Sequence, residues 1–259
     1  MHALVGGVAV ALALIVATAG ARTPAAAPAV PVDVTGTIAL ATGVPTASLE
    51  RAAPTADARA PRRSTASAII SVDGKPSILY VGSEFCPFCA SERWPVVVAL
   101  SRFGTFSGLG VSHSSLTDTF PGTATLSFHG STYTSKYLTF TGKELYDNTE
   151  VGGRYGVLDT LSPAEERRFA DPIENPNHGF PFLDLGGRYL ADAQYLPETL
   201  KGMTANQIAT TLVDPSTRVG GLIDGSANWL TASLCTLTND EPTTVCASPL
   251  ISTLKGQLP

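Results

Sequence analysis

Residues 76–94 read Pro76-Ser77-Ile78-Leu79-Tyr80-Val81-Gly82-Ser83-Glu84-Phe85-Cys86-Pro87-Phe88-Cys89-Ala90-Ser91-Glu92-Arg93-Trp94. An apolar, β-prone run over 77–82 ends in a small residue. The Cys86-Pro87-Phe88-Cys89 motif follows at the start of a helix-competent stretch over 87–103. Dithiol–disulfide chemistry asks for that order. The first sulfur has to sit at a helix start, where unpaired N–H groups and the helix dipole favour a thiolate. The second has to lie one turn further in, within reach of a mixed disulfide on the first. Pro87 suits the first helical turn because it has no N–H to leave unpaired. Phe88 brings no charge to acidify the thiol further, so the motif predicts a couple less oxidising than one with His in that position.

Working outward, residues 68–72 form a short strand candidate closed by an Asp73-Gly74 turn. Pro95 lies inside the helix and predicts a kink; Tyr80 and Trp94 read as core. Residues 104–150 alternate and are rich in Thr, Ser, Tyr and Phe, which predicts a β-rich insert with strands near 108–114, 122–129 and 136–146. Ser162, Pro163 and Glu165 open a helix with a capping box, and Thr204 with Gln207 open another over 204–213. Residues 180–185 and 188–191 flank Gly186-Gly187 as a hairpin, and a last helix runs over 227–237. Strands and helices mixed around one buried strand predict an α/β fold.

The net charge of −5 is mild and no basic stripe exists, which argues against a nucleic-acid partner. Residues 1–21 carry no charged side chain except that of His2 when protonated, and end in Ala19-Gly20-Ala21, so they read as a signal peptide or a membrane anchor, with residues 3–21 as the tether. Residues 22–66 are rich in Ala, Pro and Thr and read as a linker, with a short docking helix near 44–49; the folded domain is expected over 67–259. Four cysteines suit an exported chain. Ten residues separate Cys235 from Cys246 and no His lies nearby, which fits a loop disulfide better than a zinc knuckle. A loop of that size contributes about 3 kcal/mol by chain entropy. A second redox pair relaying electrons from Cys86 and Cys89 is the other reading of these two residues.

The strand over 78–81, the CxxC at the helix start, Pro95 within that helix and Gly179-Phe180-Pro181 before a hairpin resemble the thioredoxin superfamily. The resemblance implies a thioredoxin-like fold with a β-rich insertion between the CxxC helix and the cis-Pro strand, Pro181 being the cis-proline that faces the motif. Gly74-Lys75-Pro76, residues 79–90, Glu92-Arg93-Trp94, residues 99–106 and residues 131–137 are similar to a narrower family, domain of unknown function 929, over about residues 40–255. That family implies a fold and no established reaction. The chain departs from thioredoxins at Tyr80, where they keep a buried acid that assists proton transfer, and in the length of its insert.

The expected activity is that of an extracytoplasmic thiol–disulfide oxidoreductase. Cys86 is the nucleophile and Cys89 the resolving thiol. Pro87, Phe88, Glu84 and Pro181 support them, and the backbone of Phe180 pairs with an extended client. Glu84 reads as a proton relay to Cys89, as a like charge that tunes Cys86 unfavourably, or as a solvated loop carboxylate. Phe85, Phe88, Phe180 and Phe182 offer an apolar rim, with Phe182 reading as core. His178 reads as a bystander, and His113 and His129 as structural. No cofactor and no metal is called for. The expected partners are protein thiols or disulfides, or a redox partner protein, and the direction of electron flow stays open. The alternative is a non-catalytic binding module whose CxxC is a structural disulfide.

Overall fold

The computed structural model describes residues 33–66, 68–171 and 173–259; the apolar segment 1–21 lies outside them. In chain order the elements are α1 (Val34–Thr42), α2 (Thr46–Arg51), β1 (Arg62–Arg63), β2 (Ser71–Val72), β3 (Lys75–Gly82), α3 (Pro87–Ser101), β4 (Gly104–Ser107), β5 (Gly110–His113), β6 (Ala124–Ser127), β7 (Thr132–Ser135), β8 (Thr139–Glu144), α4 (Pro163–Phe169), β9 (Phe182–Leu185), β10 (Tyr189–Ala191), α5 (Ala205–Thr211), α6 (Arg218–Leu237), α7 (Thr243–Cys246) and α8 (Pro249–Lys255). The result is a mixed α/β architecture.

The central strand is β3. It pairs in parallel with β8 (Tyr80 opposite Gly142, Gly82 opposite Glu144) and antiparallel with β9 (Tyr80 opposite Leu183). β10 extends the sheet beyond β9, and β1 closes that edge. A strand apolar on both faces has to be covered on both. Ile78 and Tyr80 join the main core with Trp94, Val97 and Leu100 of α3 and Leu230 and Leu234 of α6. Leu79 and Val81 point the other way, onto Phe169 of α4 and Phe182 of β9.

Pro95 denies the Ser91 carbonyl its helical donor, and the Tyr195 hydroxyl donates to that oxygen instead at 2.8 Å. Both capping boxes form, at Ser162/Glu165 and at Thr204/Gln207. Gly186 and Gly187 take φ of +62° and +68°, the backbone their hairpin turn requires.

Three boundaries differ from the sequence reading. First, from Asp33 onward the supposed linker belongs to the folded body. Asp33 caps α1, whose Thr37 and Ala41 are buried. Arg59 donates to Ala193 and β1 pairs with β10. Small Ala and Thr side chains let this stretch lie close on the domain, the same composition that reads as linker. Second, the region over 104–150 is not a separate three-stranded insert. β4 pairs β7 and β5 pairs β6 in two small ribbons, while β8 leaves them to join the central sheet. Third, α6 begins at Arg218 because Thr217 caps it, and its glycines answer to crowding: a side chain at Gly225 would press on Pro54. Cys235 and Cys246 form a disulfide that ties the end of α6 to α7. Among the described residues no helix is long and apolar enough to cross a membrane.

Candidate functional site

β3 ends at Gly82, and Ser83-Glu84-Phe85 carries the chain to α3, so Cys86 becomes the N-cap of that helix and Pro87 its first residue. The Cys86 sulfur accepts the Cys89 N–H at 3.5 Å. Cys86 is 8 % exposed and Cys89 fully buried one turn inside; both are free thiols. The Cys89 S–H donating to the Cys86 sulfur lowers the Cys86 pKa from its ordinary 9.0 to about 7. Burial works against that shift. The N–H groups of Cys89 and Phe88 and the charge of Arg93 add to it. Cys89 moves the opposite way, pushed well up by burial and by its bond to Cys86. One sulfur is thus poised to ionise and the other to hold its proton.

Behind Cys89 lies a buried ionic cluster. Arg93, one turn along α3, grips Glu144 at the end of β8 through Nε (2.7 Å) and Nη2 (2.5 Å), and Nη2 also reaches the Ser83 carbonyl (2.9 Å). On its other side Nη1 stands 3.8 Å from Glu84. Glu84 is buried, so the solvated-carboxylate reading does not hold. Its second oxygen takes the Ser127 hydroxyl at 2.5 Å. Burial raises Glu144 to about 7 even though Arg93 opposes the shift. A buried acid thus stands behind the CxxC on the strand adjacent to β3. Arg93, Glu144 and Ser127 were not singled out from sequence. The available signal was Glu92-Arg93, two charges inside a stretch otherwise apolar enough to be core.

Burial, and to a lesser degree the neighbouring Cys89 thiol, hold the Tyr80 hydroxyl pKa well above its ordinary value, and the hydroxyl is buried without a hydrogen-bond partner. Trp94 donates to the Ala124 carbonyl at 3.2 Å and is core.

Around the thiol, the ribbons and their loops build an aromatic collar. Phe88 meets Phe120 edge-on at 5.8 Å, and Phe85 stacks on Tyr155 at 4.3 Å and meets Phe180 edge-on at 6.3 Å. Ser115 N–H donates to the Phe85 carbonyl, fixing one insert loop against the motif. The Phe180–Pro181 peptide bond is cis. A cleft of about 460 Å³ opens beside it, lined by Arg59, Arg62, Asn175, Phe180 and Gln194 among others. Phe182 is core. His178 is exposed and lies against Phe169. His129 is exposed and pairs with Asp159 at 2.9 Å. His113 is exposed at the end of β5.

Residues 65–158 match the family model described as Domain of unknown function (DUF929). No curated protein and no solved structure matches the chain.

Proposed function

We propose that the chain is a thiol–disulfide oxidoreductase of thioredoxin-like fold that works outside the cytoplasm. The observation that carries the reading is the asymmetry of the pair, an acidified Cys86 at a helix N-cap with Cys89 protonated and buried behind it. The sheet order supports the fold assignment, with the strand before the CxxC lying between a parallel partner, β8, and the strand that follows cis-Pro181, β9. The apolar segment 3–21 and the Cys235–Cys246 disulfide support an oxidising, extracytoplasmic setting.

In the reductive direction the Cys86 thiolate attacks a client disulfide. A Cys86–client disulfide forms and the client's other sulfur leaves as a thiolate. Cys89 then loses its proton and attacks Cys86 Sγ, which releases the second client thiolate and leaves Cys86–Cys89 oxidised, two electrons having passed to the client. Oxidation of a client dithiol is the same sequence reversed, and the redox partner sets the direction. The apolar collar and the cleft beside Phe180 suit an extended client segment with apolar side chains next to its cysteine.

The deciding test is trapping. Cys89→Ser should accumulate a mixed disulfide through Cys86 with a disulfide-bearing model client such as scrambled ribonuclease, the displaced client sulfur leaving as a thiolate, and Cys86→Ser should not. If neither variant traps a client and the CxxC resists mild reduction, the chain is a non-catalytic module with a structural disulfide. A second expected result concerns poise. A thiol near 7 is far less acidified than those of the strongest oxidants, so the Cys86–Cys89 reduction potential should lie well below about −120 mV, toward about −270 mV. Equilibration with glutathione or a dithiol buffer measures it.

A further inference from the structure

Resting on that reading of the site, we infer that Tyr80 is a catalytic residue, its hydroxyl passing the Cys89 proton to Glu144. The geometry follows from strand register. Tyr80 and Gly82 lie on the same face of β3, two residues apart, and Gly82 pairs with Glu144 of β8. Gly82 has no side chain, so the Tyr80 ring can lie along the strand; a Cβ at Gly82 would stand 2.5 Å from the Tyr80 oxygen. The hydroxyl therefore occupies the space over Gly82, beside the Glu144 side chain. From above, Cys89 and Arg93 of α3 close the same pocket, and Phe128 holds the ring edge-on at 4.9 Å. A fully buried tyrosine oxygen normally finds a partner. This one has no hydrogen-bond partner, so its hydroxyl is free to accept from the Cys89 side and donate toward Glu144 when the resolving thiol reacts.

The chemistry balances without an external base. As the Cys89 sulfur attacks the mixed disulfide, its proton moves to the Tyr80 oxygen and the Tyr80 proton moves to Glu144. Tyr80 ends neutral, Glu144 ends protonated, and the negative charge leaves on the displaced thiolate. The charged and titratable groups facing the hydroxyl are Cys89 and Arg93 from α3 and Glu144 from β8, with Glu84 beyond Arg93 and Cys86 beyond Cys89. In the reverse reaction Glu144 returns the proton by the same route, so the assignment does not depend on direction.

Tyr80→Phe tests it, because the variant keeps the ring against Phe128. A mixed disulfide is formed on Cys86 with a chromophoric aryl disulfide, and release of the second thiol is followed by stopped flow from pH 6 to 10. Formation should match the wild type. Release at pH 7 should fall about 100-fold, the low end of what a positioned acid–base group supplies. It should recover as pH rises and hydroxide takes over. Gly82→Ala, which pushes the hydroxyl aside while removing no proton carrier, should slow release in the same pH-dependent way. Phe128→Leu, which loosens the ring alone, should not. Release in Tyr80→Phe equal to the wild type, or slowed by the same factor at every pH, overturns the relay while leaving the proposed function intact. A protein that forms no mixed disulfide at all overturns both.

Discussion

Cys86→Ser should abolish thiol–disulfide exchange, and in the wild type Cys86 should alkylate along a titration curve centred at about 7. The size of the advantage follows from two opposing effects. At pH 7 a thiol of pKa about 7 is about half ionised, against about 1 % for one at 9.0, a gain of about 50-fold in thiolate. A less basic thiolate is also a weaker nucleophile, and a Brønsted slope of about 0.45 over that interval costs about eightfold. Cys86 should therefore react with iodoacetamide only about sixfold faster than an ordinary thiol at pH 7, and about fourfold slower at pH 9. The crossover is the signature, with the same chain unfolded in urea as the reference. A Cys86 rate that keeps climbing through pH 9 contradicts the acidified N-cap. The modest gain as attacker also locates the benefit elsewhere. A thiol of pKa about 7 is a good leaving group, so the motif favours rapid breakdown of the Cys86–client bond. Stability of the reduced form carries the same sign: Cys86 contributes fully above its ordinary range, and the contribution fades as pH falls through about 7.

The parts of this site legible in sequence are those written locally. A β-prone run, a CxxC and a helix starting with Pro87 are contiguous, so the cysteine geometry follows from propensity and capping alone. The Gly186-Gly187 hairpin and the two capping boxes are likewise short-range. What sequence did not disclose depends on long-range pairing. Glu144 lies behind Cys89 only because β8 pairs with β3 in one register; a slip of one residue would turn its side chain to the opposite face. Ser127 reaches Glu84 because β5 and β6 fold a ribbon back over the motif. Tyr80 reads as core because burial and aromaticity are what a core shows, and its significance depends on Gly82 being empty beside it. The α1 segment escaped because Ala, Thr and Gly describe a linker and a closely packed helix equally well.

Arg93→Met should destabilise the protein by about 3–5 kcal/mol, the cost of leaving a buried partner charge uncompensated. Arg93 and Glu144 are both fully buried, and Arg93 is the only cation placed against either carboxylate among the described residues. Removing it leaves Glu84 and Glu144 facing each other behind Cys89. Because Arg93 opposes the rise of the Glu144 pKa, Glu144, already at about 7, must rise further without it. A buried acid with a raised pKa contributes its stability at low pH and loses it as pH climbs through the folded value. The thermal-denaturation deficit of Arg93→Met should accordingly be larger at pH 8 than at pH 5. Adding Glu144→Gln, which removes one of the two stranded carboxylates and keeps its shape, should recover part of the deficit at pH 8 and little at pH 5. A cost below about 1 kcal/mol at pH 8, measured by urea unfolding of the reduced protein, would mean that water reaches the cluster and screens it as at a surface. The coupling also reaches the sulfurs. Arg93 lowers both the Cys86 and Cys89 pKa values, so its removal should move the Cys86 alkylation midpoint upward from about 7. One substitution thus reports on fold and site together, as expected of a cation that joins α3, β8 and the loop before the CxxC.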